Sequence, residues 1–355
     1  MDVKRFGDGG QIAILGAGSM GRLWAALLPS ESCGFLPRPG SGSGLMTVPA
    51  GDLPEGSLDS GRSFSHLADP SETRCEYVLV RSASPSMATQ GFGGVRQTAS
   101  PNVLLTPTDT QISRPWFHSF DRIGLLLVTT KAGDTLSALE DWLPCIPNGA
   151  PVVLFQNGMG SQQTVSRRWP DRLILAASTT EGANRPQPDM LVHAGVGDTW
   201  VGPLTECASD YTEYVVHRLA QSGLRVHSEA NILQRLWQKL VVNAGINAFT
   251  ALLDCPNGAI LQASLYQQTI DELCVEIAAL LRADTGQDIA PHTLRERIEA
   301  VAKSTARNTS SMRADVNAGR KTEIDFINGY LVQCGQQHGI ATPVNQMLVQ
   351  RVKAI

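Results

Sequence analysis

Residues 11–21, QIAILGAGSMG, constrain this chain more than any other stretch. A short apolar run, QIAIL, is followed at once by Gly16, Ala17, Gly18, Ser19, Met20 and Gly21, and then by the helix-like RLWAALL. The order is strand, glycine turn, helix, and the three glycines fall as G-x-G-x-x-G. Such glycines allow a tight turn and let a pyrophosphate approach the backbone N–H groups at a helix N-terminus. An ordinary glycine-rich turn is the alternative. The context, a strand before and a helix after, favours a dinucleotide site.

The strands that follow extend the same design. RIGLLLVTTKA and APVVLFQNGMG read as buried strands, RLILAASTTEGA and DTWVGPL as two more, and GDTLSALEDWL as a helix between them. Strands alternating with helices imply a parallel, doubly wound sheet. Residues 33–120 are rich in Gly, Pro and Ser, and EYVLV is the best strand among them. Irregular, extended loops are expected over about 39–120. From about residue 229 only helical periodicity is evident. The expected organisation is therefore an α/β dinucleotide-binding domain over 1–228 and an all-α domain over 229–355.

Within the second domain, LWQKLVVNAGINAFTALLDCPNG reads as a buried helix with an anomaly. Lys239, Asn243 and Asn247 stand four apart among apolar residues. That spacing keeps them on one face, with a drift of about 40° per step. Burying such groups is costly unless they are used. The stripe therefore reads as the wall of a cleft, and a polar face meeting solvent is the alternative.

Other function classes find little support. The net charge of −4 argues against nucleic-acid binding. No segment approaches about 20 uninterrupted apolar residues, so a membrane span is not expected. Seven cysteines without a CxxC pair, and an N-terminus without a long apolar run, suit a reduced, cytoplasmic protein. His193, His217 and His227 make no metal-ligand spacing, so no metal is expected. No G-x-S-x-G elbow supports hydrolysis.

The stretches ILGAGSMGRLW, LLLVTTKAGDT, QNGMG, LWQKLVVNAGINAFTALLDCPNG and NTSSMRADVNAGRKTEIDFINGY together resemble the ketopantoate reductase (2-dehydropantoate 2-reductase) family. The resemblance covers the chain from residue 11 onward except roughly 39–74, where the sequence is longer and lacks the family's clean second strand. It implies a Rossmann-like domain, a helical domain and an active site in the cleft between them. It implies NADPH as cofactor and 2-dehydropantoate as substrate, in pantothenate biosynthesis. Lys239 corresponds to the family's catalytic lysine, and Glu323 to its acid near cofactor and substrate. Asn243, Asn247 and Asn257 correspond to substrate-binding amides, and Ser311 to a serine that holds the substrate. Asn157 and Ala183 match positions lining the cofactor, with Asn157 also facing the substrate, and Lys131 matches a lysine nearby.

Taken without the resemblance, SSMRADVNAGRKTEID permits a blander account. Ser310 or Ser311 could cap a helix, and Arg320, Glu323 and Asp325 could form surface pairs. Lys131 could be a solvated lysine at the start of a loop. Two rival functions keep most of the motifs: a reductase of another 2-oxo acid, and a non-catalytic NADP sensor. A second copy of the chain is the remaining candidate partner. Retention of Lys239 and Glu323 argues against the sensor.

The cofactor's phosphate state rests on one position. Sites selective for NAD carry Asp or Glu about 20 residues beyond the first glycine, to bond the ribose 2′-hydroxyl. Here that region reads GFLPRPG, with Arg38 and no carboxylate. Arg62 competes for the role of phosphate reader. Arg38→Ala should raise the KM for NADPH and leave that for NADH nearly unchanged. Equal responses to both cofactors would move the role to Arg62.

Overall fold

The computed structural model describes residues 10–37, 74–81, 110–117 and 119–355. Arg38 and Arg62 lie outside them. The apolar run Gln11–Leu15 is β1, and Ser19–Leu27 is α1. Then come β2 (Cys33–Leu36), β3 (Arg74–Arg81), β4 (Thr110–Pro115) and β5 (Ile123–Val128). Next are α2 (Thr135–Trp142), β6 (Val152–Leu154), α3 (Ser161–Arg168) and β7 (Ile174–Thr179). Strands β8 (Gly182–Gln187), β9 (Met190–Gly195) and β10 (Asp198–Pro203) precede α4 (Thr212–Ala220) and β11 (Arg225–Ser228).

One sheet runs β11-β10-β7-β6-β5-β1-β2. From β7 to β2 every pairing is parallel. These strands are apolar almost throughout because helices or loops cover both faces. The carboxyl ends of β1, β5, β6 and β7 therefore share one edge. The chain leaves β1 on one side for β2 and on the other for β5, which makes this the switch point where doubly wound sheets bind ligands. Strand β10 joins β7 antiparallel, so the far end of the sheet is mixed.

The region expected to be irregular holds more structure than its composition suggests. Cys33–Leu36 is a fully buried strand paired with β1. Strands β3 and β4 belong to a second sheet, ordered β4-β3-β9-β8. Alternation explains β3: Cys75, Tyr77 and Leu79 are buried while Arg74 and Glu76 face outward. The second sheet is bonded to α1. Tyr77 donates its hydroxyl to Arg22 O at 2.5 Å. The buried Arg114 donates to Ala25 O at 2.7 Å and to Ala26 O and Leu28 O at 3.3 Å. Helix α1 has no basic residue in its last turn, so β4 supplies the cation that satisfies its terminal carbonyls.

The rest is helical: α5 (Ile232–Leu252), α6 (Ser264–Thr285), α7 (Pro291–Ser304), α8 (Ser311–Asn317), α9 (Asn328–His338) and α10 (Pro343–Lys353). Helix α5 is the core element, with Trp237, Leu240, Ala244, Ala248 and Phe249 buried. The buried Glu276 of α6 accepts from Val344 N at 2.7 Å, Asn345 N at 3.1 Å and Asn345 Nδ2 at 2.7 Å. A carboxylate placed there satisfies the free N–H groups that begin α10.

The two parts meet where the loop after β6 receives the turn Ile324–Phe326. Met159 N donates to Phe326 O at 2.8 Å. Gly158 has φ of 78°, and a Cβ there would lie 2.0 Å from Phe326 O. Only glycine fits. Gly158→Ala should lower unfolding stability by at least about 1–3 kcal/mol, the usual range for a strained left-handed residue. Thermal unfolding checks this, and an unchanged midpoint would contradict the close approach.

Candidate functional site

The three motif glycines divide the work of the turn. Gly16 has φ of 108°, and a Cβ on it would come within 2.8 Å of Thr130 N. Gly21 packs against β1 and β5: its added Cβ would meet Gly16 O at 2.0 Å and Thr129 Oγ1 at 2.5 Å. Thr129 ties this corner by donating to Gly16 O at 2.6 Å. Gly18, the N-cap of α1, has nothing within 4 Å of its Cβ position and no side chain capping the helix. Two glycines are thus required by the protein's own packing, and the third opens onto free space at a helix N-terminus. That arrangement fits a pyrophosphate. Ala17, Ser19 and Met20 are half-buried in the same turn. Ala17 and Met20 pack against the core that also takes Ala183 of β8. Arg185, also on β8, donates to Ala17 O at 3.3 Å, a contact with no signal in the sequence.

The neighbouring loops bring in the polar groups. Lys131, beyond the end of β5, donates to Asp315 Oδ2 and to Lys321 O, the latter at 3.1 Å. Asp315 also accepts from Arg320 Nε at 3.1 Å. Lys131 is therefore a tether to the helical part and not a free surface lysine. Glu323 is buried against the same loops. Its Oε1 accepts from Ala132 N at 3.1 Å and its Oε2 from Asn157 Nδ2 at 3.3 Å. Burial raises its pKa above the ordinary carboxylate value, while the Ala132 amide, Lys131 and Asn157 act in the opposite sense.

Lys239 arrives from α5. Its Nζ donates to Thr179 O, at the carboxyl end of β7, at 2.9 Å. Desolvation brings its pKa down from 10.5 to about 8, against the opposing pull of the Glu323 charge. The end of β7 is itself fixed: Thr179 Oγ1 accepts from Thr199 Oγ1 at 2.8 Å and from Glu181 N at 3.1 Å. Asn243 is half-buried and Asn247 is buried, one and two turns along from Lys239. Among the described residues neither amide side chain has a hydrogen-bond partner. The spacing stripe is real, and its two amides are available to a ligand.

Other expected site residues stand differently. Asn257 Nδ2 donates to Thr305 Oγ1 at 2.9 Å, and its backbone N donates to Asn308 O at 3.0 Å. It pins the loop before α8, with Oδ1 buried and unpartnered among the described residues. Ser311 is exposed, whereas Ser310 caps α8 by accepting from Arg313 N at 3.1 Å and pairs with Thr250 Oγ1 at 2.7 Å. Asp325 pairs with Lys353 at 2.5 Å, on the surface.

Sequence reasoning passed over one buried pair. Glu181, whose side chain is fully enclosed, meets His193 Nε2 at 2.7 Å across the β8–β9 hairpin. The carboxylate in STTEGA, amid an apolar run, was the available signal. His227 instead pairs with Asp198 at 2.8 Å.

Comparison with known proteins agrees with this geometry. The ketopantoate reductase PanE/ApbA family model matches residues 72–206, and the model of that family's C-terminal part matches 231–355. A 2-dehydropantoate 2-reductase of Vibrio cholerae is 38% identical over 231 residues, 65% of this chain and 77% of the relative. The chain belongs to the ketopantoate reductase family. A Halobacterium salinarum 2-dehydropantoate 2-reductase is 32% identical over 64% of this chain and 75% of its own length. Among solved structures, the 2-dehydropantoate 2-reductase of Geobacter metallireducens GS-15 shares the fold at a TM-score of 0.70 and 20% identity, covering 97% of this chain and 99% of the other. A D-mandelate dehydrogenase bound to NADH and anilino(oxo)acetate matches at a TM-score of 0.70 and 19% identity, over 97% of both chains. Membership in the ketopantoate reductase family makes this chain a nicotinamide-dinucleotide-dependent oxidoreductase. Among the described residues, no helix is long and apolar enough to cross a membrane.

The open space at Gly18 carries a direct test. Gly18→Val should leave the fold intact, because nothing crowds its Cβ, and abolish NADPH binding measured by calorimetry. A folded variant with unchanged affinity would remove the glycine turn from the cofactor site.

Proposed function

We propose that this chain reduces 2-dehydropantoate to (R)-pantoate with NADPH, the reductive step of pantothenate and coenzyme A biosynthesis. The observation that carries this reading is the partly desolvated Lys239 ammonium, held at the carboxyl end of β7 on the sheet edge that bears the glycine turn. The division of labour follows the two parts of the fold, a cofactor domain over 1–228 and a substrate domain over 229–355. Gly16, Ala17, Gly18, Ser19, Met20 and Gly21 would hold the pyrophosphate, with Lys131, Asn157, Ala183 and Glu323 toward the rest of the cofactor. Arg38 and the absence of an acidic residue near it support NADPH over NADH.

When bound, the nicotinamide supplies the hydride. The chain's own residues manage the charge and the proton. Reduction of a 2-oxo acid builds negative charge on the carbonyl oxygen, and Lys239 can both stabilise it and donate a proton to it. Asn243 and Asn247, unpaired among the described residues, would offer donors and acceptors to the carboxylate and hydroxyl of the substrate. Asn157, bonded to Glu323, would face both cofactor and substrate. Asn257 would support the cleft through the 305–308 loop, and Ser311, exposed at the start of α8, would help hold the substrate, as its correspondence to the family's serine implies. Glu323 orients Asn157 and balances the Lys239 charge. We place the enzyme in the cytoplasm. We also infer a homodimer, in line with the dimeric ketopantoate reductase of Staphylococcus aureus that shares the fold.

The D-mandelate dehydrogenase likeness favours one second reading, a reductase of a different 2-oxo acid. Steady-state kinetics with 2-dehydropantoate beside a panel of 2-oxo acids separates the two. A kcat/KM highest for 2-dehydropantoate is expected, and a clear preference for another acid would replace it.

Lys239→Ala should depress kcat by about 10²–10⁴-fold, as for a lost general acid, with little change in NADPH affinity. Lys239→Arg should rescue poorly, since a guanidinium scarcely gives up a proton. In the native enzyme kcat/KM should hold below the Lys239 pKa of about 8 and fall as pH rises through it, because only the ammonium can donate. The substrate carboxylate raises that pKa when bound, so the limb in kcat should lie at higher pH. A normal kcat in the Ala variant would dismiss the role.

A further inference from the structure

On the side of α5 away from Lys239, three side chains from two helices converge. Cys334 and His338 stand one turn apart on α9, and Asp284 comes from the last turn of α6. One ligand atom from each lies within 4.8 Å of the other two. His338 Nε2 is 3.5 Å from Asp284 Oδ1. We propose that Asp284, Cys334 and His338 form a binding site for a divalent cation of the zinc class, separate from the reductase cleft.

The chemistry of the set points to that class. A thiolate, an imidazole and a carboxylate suit zinc better than the hard cations, which prefer all-oxygen shells. A tetrahedral zinc with such donors needs ligand separations of roughly 3.3–3.8 Å. Cys334 is fixed in the core, while the side chains of Asp284 and His338 are about a third exposed and can rotate inward. Water would complete the fourth position. Two further features favour a cation here. Helices α6 and α9 both end at this point, Gly286 and Gly339 being their C-caps, so the negative ends of two helix dipoles face the site. Asp284 Oδ2 is already oriented by the buried Trp237, whose Nε1 donates to it at 2.9 Å. A carboxylate that ligates a metal is held in orientation by such a bond from a neighbouring donor. Arg282 of the same turn is occupied by Asp288.

Binding would release the Cys334 thiol proton to solvent as the sulfur–metal bond forms, so affinity should rise with pH. Trp237 and Lys239 lie about 200° apart around α5, so this site reports through the indole and leaves the cleft lysine alone.

The test uses the full chain, freed of metal with a chelator and then titrated with zinc chloride or cobalt(II) chloride. The site predicts one equivalent bound, a thiolate-to-cobalt charge-transfer band and a change in indole fluorescence that Trp237→Phe removes. His338→Gln and the isosteric Asp284→Asn, both altered at partly exposed positions, should weaken zinc binding by more than the about 10–100-fold that losing a hydrogen bond to a ligand side chain costs. Absence of the thiolate–cobalt band, or unchanged zinc affinity in either folded variant, would overturn the proposal.

Discussion

The structure depends on one joint, the turn around Glu323–Phe326 seated on the carboxyl edge of the parallel sheet. Glu323 takes the Ala132 amide and the Asn157 side chain, Phe326 O takes Met159 N, and Asp315 takes Lys131. Every one of these bonds joins a loop following β5 or β6 to α8 or to the segment between α8 and α9. The joint leaves no slack, because Phe326 O lies where any side chain on Gly158 would be. It holds the helical part against the sheet, where Lys239 of α5 meets Thr179 O.

The same joint sets the electrostatics. Glu323 and Lys239 are both taken out of water, and desolvation moves the two pKa values toward each other: the acid up, the lysine down. Backbone and amide donors compensate the carboxylate, and a strand-end carbonyl compensates the ammonium. The lysine is left with a pKa of about 8, which would suit the proton donor proposed for it. Among the described residues, the Asn243 and Asn247 side chains have no hydrogen-bond partner beside it. In the proposed reading, what enters the cleft would supply their hydrogen bonds.

Much of this was legible from residues alone. QIAILGAGSMG read correctly as strand, turn and helix because the three glycines answer to three distinct steric demands. The stripe Lys239, Asn243, Asn247 stood out because polar groups at helical spacing conflict with apolar neighbours on every side. Of the second sheet, EYVLV in β3 was legible as a strand, but its partners were not. Thr110–Pro115, TQISRP, carries no apolar run, and its buried Arg114 is explained only by the carbonyls of α1 it satisfies. Cys33–Leu36 is four residues long and sits among Gly and Pro, too short for periodicity to show. Asn257 and Ser311 were named by resemblance, and no local pattern could have told that Asn257 bonds Thr305 or that Ser310, not Ser311, caps α8. Asp284 and Cys334 lie far apart along the chain, so only the packing of α6 on α9 reveals their convergence, although Cys334 and His338 at helical spacing were visible.

The account stands on the coupling between Glu323 and Lys239 across the joint. The direct measurement is the pH dependence of kcat/KM for 2-dehydropantoate in native enzyme and in Glu323→Gln, an isosteric change that keeps an acceptor for the Ala132 amide. Removing the negative charge removes the influence that holds the Lys239 pKa up, so the basic limb should move to lower pH than in the native enzyme. A limb that stays in place or moves to higher pH would contradict the assignment of Lys239 as the proton donor governed by Glu323.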